Sequence, residues 1–327
     1  MTTQTVPAEP VSKTLDFAEC WRRMPHKAAF GLLLLAWVAL FQWFGNSTFG
    51  YTDTASLFEW LYYCYSRTEE EHVYIVPVLV GILAWWKRHD LLSAAKDSWW
   101  PAVALLGVAL VIHIVGYVVQ QTRISFLAFV VGVYALMGVA WGPGWLRTIF
   151  FPFFLFFFCM PQGESAEIIT KPLRMLVSYL SVAISNHGLG IDVVRQGSLI
   201  FDANRSIQYD VAPACSGIRS LVALLLISTV YGFVCFNKLW KRWLIVLAAF
   251  PLAVAGNTLR ITTVIIVGKA LGQDAGARIE QKFGFVTYVF ALGALFAVGY
   301  WLREDKIQKH SRPQVTPRET LPAEVTT

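Results

Sequence analysis

The sequence predicts an all-α polytopic membrane protein with about eight transmembrane helices, and three observations support this fold class. Of the 327 residues, 56% are hydrophobic and only 15% are charged, whereas soluble domains carry about a quarter charged residues. Several apolar runs approach the ~20 residues that a helix needs to cross the hydrocarbon core. The basic residues, which give a formal net charge of +6, flank these runs. Because this placement follows the positive-inside bias, we expect no nucleic-acid partner.

Hydropathy places the predicted spans at residues 28–45, 72–86, 99–119, 124–141, 144–160, 217–236, 243–267 and 283–302. With both termini in the cytoplasm, the cytoplasmic segments hold nearly twice as many Lys and Arg residues as the outer segments. Residues 1–27 then form a cytoplasmic tail, because the apolar run that follows is too long for a cleaved signal. Residues 28–302 form the transmembrane domain. Residues 303–327, which are polar and contain prolines, are predicted to be a disordered cytoplasmic tail.

The longest outer connection, residues 161–214, is predicted to form an insertion on the outer face. Residues 164–186 have the periodicity of an amphipathic helix, which would lie on the membrane or cross it partway. Two β-rich runs follow, residues 191–201 and 206–211, and the turn residues 202–204 lie between them. This pattern predicts a β-hairpin whose second strand leads directly to a cysteine. The apolar face of the amphipathic helix is expected to contain Ile168, Leu173, Leu176, Val177 and Leu180.

That cysteine, Cys215, lies where the hairpin meets the sixth predicted span, in the sequence Val211-Ala212-Pro213-Ala214-Cys215-Ser216-Gly217-Ile218-Arg219-Ser220. Free amide N–H groups and the helix dipole at a helix start favour a thiolate. A thiolate can attack a peptide carbonyl to form a thioester, which an amine, a hydroxyl or water resolves. The alternative is a disulfide with Cys159 or Cys64, which are predicted to lie near the same oxidising face.

The seventh predicted span contains an arginine, Arg260, which the predicted topology puts on the same outer side as Cys215. An arginine within a span is costly unless it pairs or snorkels to the interface. Its side chain stays protonated, so it can stabilise a thiolate or an oxyanion but cannot act as a base. The alternative role is that of a structural arginine that snorkels.

Two segments together identify a family that the chain resembles. The sequence Ala214-Cys215-Ser216-Gly217-Ile218-Arg219 opens one span, and Asn257-Thr258-Leu259-Arg260-Ile261 lies in the next. This pair resembles the exosortase/archaeosortase family, and the likeness extends over nearly all of residues 28–302. It implies a membrane-embedded cysteine protease/transpeptidase that uses no cofactor or metal and acts at the outer face of the inner membrane. Its implied partners are the lipid bilayer and exported proteins.

The resemblance also implies the kind of substrate. Enzymes of this family recognise a C-terminal sorting tail that consists of a short signature of the PEP-CTERM type, one transmembrane helix and a basic cluster. They cleave near the signature and can pass the acyl group to another acceptor. The sequence leaves the exact motif and the acceptor open.

The resemblance further implies which residues act. Cys215 matches the nucleophile, and Arg260 matches the active-site arginine. A third residue, usually histidine, is expected four positions before a glycine at the start of the last span. Here that glycine is Gly284, and the position holds Glu280. Arg278 is a second candidate, because some members use an arginine in this role.

The proton donor for the leaving amine is therefore the open question. His187 and His72 are also predicted to lie on the outer side and are further candidates. The residues expected to contact substrate or support the site are Arg219, Asn257, Ser216 and Gly217.

Two other functions remain open from the sequence. A transporter or flippase would use kinked helices and Arg260 to line a substrate path, although no inverted repeat is evident. A catalytically inactive scaffold of the same fold would explain why the expected histidine is absent.

Overall fold

The computed structural model describes residues 20–22, 24–48, 53–68, 72–94, 98–161, 167–202, 208–210 and 218–303. The described chain is mostly helical, which confirms the all-α membrane fold. Five of its helices are long and apolar enough to cross a membrane. Cys215, Ser216 and Gly217 lie outside the described residues, and so do most of the two predicted tails. For Arg219 and Glu280 only the backbone is described.

The N-terminal half, residues 24–161, is entirely helical where it is described. Its helices are α1 (Lys27–Phe44), α2 (Leu57–Thr68), α3 (His72–Trp86), α4 (Arg88–Ser93), α5 (Pro101–Val118) and α6 (Thr122–Phe154), and a 3-10 turn (Leu155–Cys159) continues α6. The helix α6 breaks at Gly142, where φ is 82° and ψ is 178°, a conformation that glycine adopts at little cost. Its two arms correspond to the predicted spans 124–141 and 144–160.

One group of buried polar side chains in the N-terminal half forms hydrogen bonds within that half. Thr122 Oγ1 donates to Asn46 Oδ1 at 2.6 Å, and Ser47 Oγ donates to the Gly116 carbonyl at 3.1 Å. His113 Nδ1 lies 3.1 Å from Ser125 Oγ. These hydrogen bonds offset the cost of burying the polar groups, so this half has a closed, structural core.

The C-terminal half, residues 167–303, combines helices with one small sheet. Its elements are α7 (Glu167–Ala183) with a following π-turn (Ile184–Gly188), β1 (Val193–Gln196), β2 (Leu199–Asp202), β3 (Gln208–Asp210), α8 (Ile218–Cys235), α9 (Leu239–Leu271) and α10 (Gln273–Trp301). The sheet is antiparallel with the order β1-β2-β3. It therefore has one more strand than the predicted hairpin.

The extra strand arises from a glycine turn inside the run 191–201. Gln196 pairs with Leu199, so Gly197 and Ser198 form a two-residue turn. Gly197 has a φ of +67°, which suits the first central position of a tight hairpin turn. The chain therefore reverses within the run that periodicity alone had assigned to one strand.

The amphipathic helix is confirmed as α7, but its buried face differs from the predicted one. Val177 is buried as expected, whereas the side chain of Leu176 is 45% exposed. Buried serines occupy the rest of the inner face, namely Ser178, Ser181 and Ser185. Small side chains allow two helices to approach closely, and α7 packs along α9 on this face. The helix is thus part of the helical bundle.

The two halves meet along α8. Phe233 of α8 stacks on Phe151 of α6, with ring centroids 3.9 Å apart and an interplanar angle of 9°. Two turns earlier in α8, Leu226 packs into the buried cluster of the N-terminal half. Residues earlier in α8, such as Leu221 and Leu224, belong instead to the cluster formed with α9 and α10.

Candidate active site

The antiparallel pair α9 and α10 provides the framework of the candidate site. The two helices are joined by Gly272 alone, which has a φ of +91°. They pack closely at Gly256, where an added Cβ would lie 3.3 Å from the Thr287 carbonyl oxygen and 3.4 Å from the Ala291 Cβ. The close approach continues toward the Gly272 turn, because a Cβ at Gly276 would lie 3.2 Å from the Val264 carbonyl oxygen.

Arg260 lies in this helix pair, against a glycine of α10. A Cβ built on Gly284 would lie 3.4 Å from Arg260 Cζ and 3.5 Å from its Nη1. These are ordinary van der Waals distances, so a methyl group would still fit, whereas a longer side chain would displace the guanidinium. The glycine that the sequence motif singled out therefore makes room for the arginine of the same motif.

The third candidate position can be located through its backbone. Residue 280 follows Gly276 by four positions and precedes Gly284 by four, and residues at this spacing share one face of a helix. Gly276 and Gly284 both approach α9, so position 280 lies on the α9-facing stripe, one turn from the glycine that contacts Arg260. Arg278 is exposed and lies roughly 120° around the helix from Gly284.

The strand β3 is fixed to the turn between α9 and α10. The Tyr209 ring fills the space above two glycines, because a Cβ at Gly268 or Gly276 would lie 2.1 or 2.0 Å from its hydroxyl oxygen. Gln273 forms two hydrogen bonds with the Gln208 backbone, at 3.3 Å and 3.1 Å. The strand β3, which precedes the Cys215 segment, is thus held at the end of the helix pair where Gly272 forms the turn.

An ion pair also fixes the central strand of the sheet, β2, to α9. Asp202 of β2 is 1% exposed, and its Oδ2 lies 3.1 Å from the Nζ of Lys269, whose side chain is 47% exposed. Lys269 lies in the last turn of α9, where a cation also interacts favourably with the helix dipole. The sheet and the end of α9 therefore form one unit.

Cys215 lies in the undescribed residues 211–217, between β3 and α8. Both flanking elements are described, and both pack against the α9–α10 pair. Cys159, one of its suggested disulfide partners, is a free buried thiol. Its Sγ donates to the Val73 carbonyl at 3.8 Å.

A polar seam between α7 and α9 was missed at the sequence level. Ser181 Oγ donates to the Thr258 carbonyl at 3.5 Å, and the hydroxyls of Ser185, Thr258 and Thr262 are buried without a partner among the described residues. The clue lay in the four-residue spacing of Ser181 and Ser185, which puts both on one helical face. Asn257, a predicted support residue, is also buried, on the side of α9 that lies near α7 and α8.

The contacts that the structure describes for the two candidate histidines, His187 and His72, are with residues other than Arg260. His187 is exposed in the π-turn, and its Nδ1 contacts the Ala183 carbonyl at 3.2 Å. His72 begins α3 in the N-terminal half and bonds to the Phe158 backbone. In the described part of the chain, no three His, Cys, Asp or Glu residues cluster in a way that could hold a metal ion.

Comparison with known proteins gives one match. A family model described as transmembrane exosortase matches residues 64–297, which is more than two thirds of the chain. The matched range includes Cys215, Arg260, Glu280 and Gly284. No curated protein and no solved structure gives a significant match.

Proposed function

We propose that this chain, which belongs to the transmembrane exosortase family, performs its transpeptidase chemistry with Cys215 as the nucleophile. A membrane transpeptidase of the exosortase kind needs an activated nucleophile and a group that stabilises the oxyanion. On our proposal the enzyme cleaves the C-terminal sorting tail of exported proteins at the outer face of the membrane. The acyl group passes through a thioester on Cys215.

The contact between Arg260 and Gly284 carries this proposal. The Arg260 guanidinium packs against Gly284 and is partly buried between the helices, and a charge in such a position can stabilise an oxyanion. The Tyr209 and Gln273 contacts tie the strand before Cys215 to the same helix pair. The described contacts therefore support a site in which a thiolate and an arginine act on one carbonyl.

The reaction follows from these groups. The Cys215 thiolate attacks the scissile carbonyl carbon, and Arg260 stabilises the oxyanion of the tetrahedral intermediate. The C–N bond then breaks, and the leaving amine takes a proton from a general acid. An amine, a hydroxyl or water attacks the thioester, loses its proton to the same group and releases the thiolate.

Glu280 is our candidate for the general acid. Its backbone position lies on the α9-facing stripe one turn from Gly284, which is where the family usually has histidine. A carboxyl group can replace the imidazole if its surroundings favour the neutral form. Arg278 lies off that stripe, and an arginine donates protons poorly because it stays charged.

The test is tail processing in a reconstituted membrane. A secreted test protein that ends in a signature, a transmembrane helix and a basic cluster is incubated with each variant, and its shortening is measured at equal amounts of inserted enzyme. We expect no shortening with Cys215→Ala, and a loss of about 10²–10³ in rate with Arg260→Ala. Normal processing by either variant would refute the proposal.

Matched controls separate the site from the fold. Cys235→Ala alters a cysteine at the opposite end of α8 and should process normally. Glu280→Gln removes the carboxyl proton but keeps the side chain's size, whereas Arg278→Ala removes the neighbouring charge. We expect a loss of rate only with Glu280→Gln, and the reverse result would assign the role to Arg278.

A further inference from the structure

A cavity of about 220 Å³ lies in the cleft between the two halves. It is found where the ends of α3 and α8 meet the starts of α9 and of the second arm of α6, far from the Cys215 end of α8. Three cations from separate helices or their termini line it: Lys87, Arg147 and Arg242. Nothing in the proposed reaction uses this cavity.

Among the residues that the structure describes, the contacts of these cations leave their charges largely unneutralised. The described hydrogen bond of Lys87 Nζ is to the Thr148 carbonyl, at 3.4 Å. Arg242 Nε donates to the Phe236 carbonyl at 2.7 Å, and its guanidinium carbon lies 4.7 Å from the centre of the Phe233 ring. Arg147 is exposed. Among the described residues, none of the three cations forms an ion pair with a carboxylate.

We propose that this cavity binds the phosphate of an anionic phospholipid headgroup. Three like charges around one cavity repel each other, so an anion between them relieves that repulsion and adds charge-assisted hydrogen bonds. Basic pockets between membrane helices are suited to such headgroups. Lys87 directly follows α3, and Arg242 lies about one turn into α9, so both cations lie near the ends of their helices.

The apolar wall of the cavity favours a lipid over a free phosphate. Trp86 and Phe150 line it and are 59% and 53% exposed. Aromatic rings at a helix end suit the glycerol and upper acyl region of a lipid, whereas a free phosphate ion gains nothing from them.

The bound lipid would bridge the two halves of the molecule. Lys87 and Arg147 belong to the N-terminal half, and Arg242 belongs to the C-terminal half. Next to these cations, the two halves are joined by the stack of Phe151 on Phe233. An anion held by cations from both sides therefore adds a second attachment at the same junction.

Native mass spectrometry of the purified full-length chain tests this proposal. The protein is titrated in detergent with phosphatidylglycerol and, separately, with zwitterionic phosphatidylcholine. We expect tighter binding of phosphatidylglycerol, and about fivefold weaker binding of it by Arg147→Gln or Lys87→Gln. Lys238→Gln is the matched control, because Lys238 is an exposed cation directly before α9 that does not line the cavity.

Each result of the titration either supports or overturns the proposed lipid site. Weaker binding by the cavity variants than by Lys238→Gln supports the site. Equal binding by all three variants, or equal binding of the two lipids by the unaltered chain, overturns it. Inorganic phosphate is added as a competitor in a further arm, and displacement of the lipid at low millimolar concentration would assign the cavity to a free anion instead.

Discussion

In the N-terminal half one group of buried polar side chains bonds to one another, whereas in the C-terminal half an arginine and several hydroxyls lie between closely packed helices. Asn46, Thr122, His113 and Ser125 all take part in hydrogen bonds with other side chains of their own half. The hydroxyls of Thr258 and Thr262, by contrast, have no partner among the described residues.

On our proposal, the difference separates a structural core from the region that reacts. A satisfied polar network stabilises one conformation and offers nothing to a substrate. The charge of Arg260, which packs against Gly284, can instead stabilise an oxyanion that forms during the proposed reaction. We therefore expect changes in the N-terminal half to alter the amount of folded protein, and changes along α9 and α10 to alter the rate.

The largest expected effect is at Gly284. Leucine in its place would occupy the volume of the Arg260 guanidinium, since even a Cβ lies 3.4 Å from Cζ. Gly284→Leu should slow tail cleavage by about 10²-fold, which approaches the loss of the arginine itself. Gly284→Ala should retain most activity. Gly293→Leu is the control, because no atom lies within 4 Å of its added Cβ; an equal loss there would contradict the steric explanation.

The next effect concerns Tyr209, which fills the space above Gly268 and Gly276. Tyr209→Ala should cost about 3 kcal/mol of local stability, because it empties a buried site. Hydrogen exchange of β1 to β3 measures this loss, and the rate of thiol labelling at Cys215 reports whether its segment has been released. Tyr209→Phe should change little, because the hydrogen bond from its hydroxyl to the Gln273 carbonyl is long, at 3.4 Å. A large effect of phenylalanine would show that this bond dominates.

A smaller effect of a different kind is expected in the N-terminal half. A Cβ at Gly132 would lie 2.0 Å from the Trp37 ring, so Gly132→Ala should destabilise the fold by about 1–3 kcal/mol. Thermal unfolding measures the loss, while the cleavage rate per folded molecule stays unchanged. Gly107→Ala, where the added Cβ meets nothing within 4 Å, should leave both unchanged. A lower cleavage rate per folded molecule of Gly132→Ala would contradict the proposed difference between the halves.

The smallest effect is expected at Lys269. Its ion pair with Asp202 is half-exposed on the lysine side, although the carboxylate is buried, so we expect a contribution of about 1 kcal/mol, at the upper end of the range for exposed pairs. Lys269→Met should therefore shift the unfolding midpoint only slightly, and 0.5 M salt should produce a similar shift in the unaltered chain. A loss of several kcal/mol would mean that the sheet depends on this pair.

The sequence predicted most of the fold, because long apolar runs have few structural solutions in a membrane. The boundaries of α1, α3 and α5 agree with their predicted spans to within two residues. The break at Gly142 separates the arms of α6 close to the predicted boundary. The sequence did not reveal the turn at Gly197, because a glycine between alternating residues is consistent with either one long strand or two short ones.

The sequence motif proposed the residues of the candidate site, but it could not give their geometry. The motif identified Arg260 and Gly284, but only the structure shows that the glycine makes room for the guanidinium. The role of Tyr209 could not be predicted, because its two glycines lie more than fifty residues away in sequence. The inner face of α7 was misassigned at Leu176, because hydropathy counts serines as exposed. Close helix packing is decided by size as well as polarity.

The single-residue turn at Gly272 also has a consequence for biosynthesis. Arg260 is unfavourable in lipid when α9 stands alone, and the helix that packs against it follows with no intervening loop. The two helices can therefore leave the translocation machinery as one hairpin, with the guanidinium already shielded by Gly284. Because α10 follows the other described helices in the chain, Gly284 can shield Arg260 only after those helices have been made.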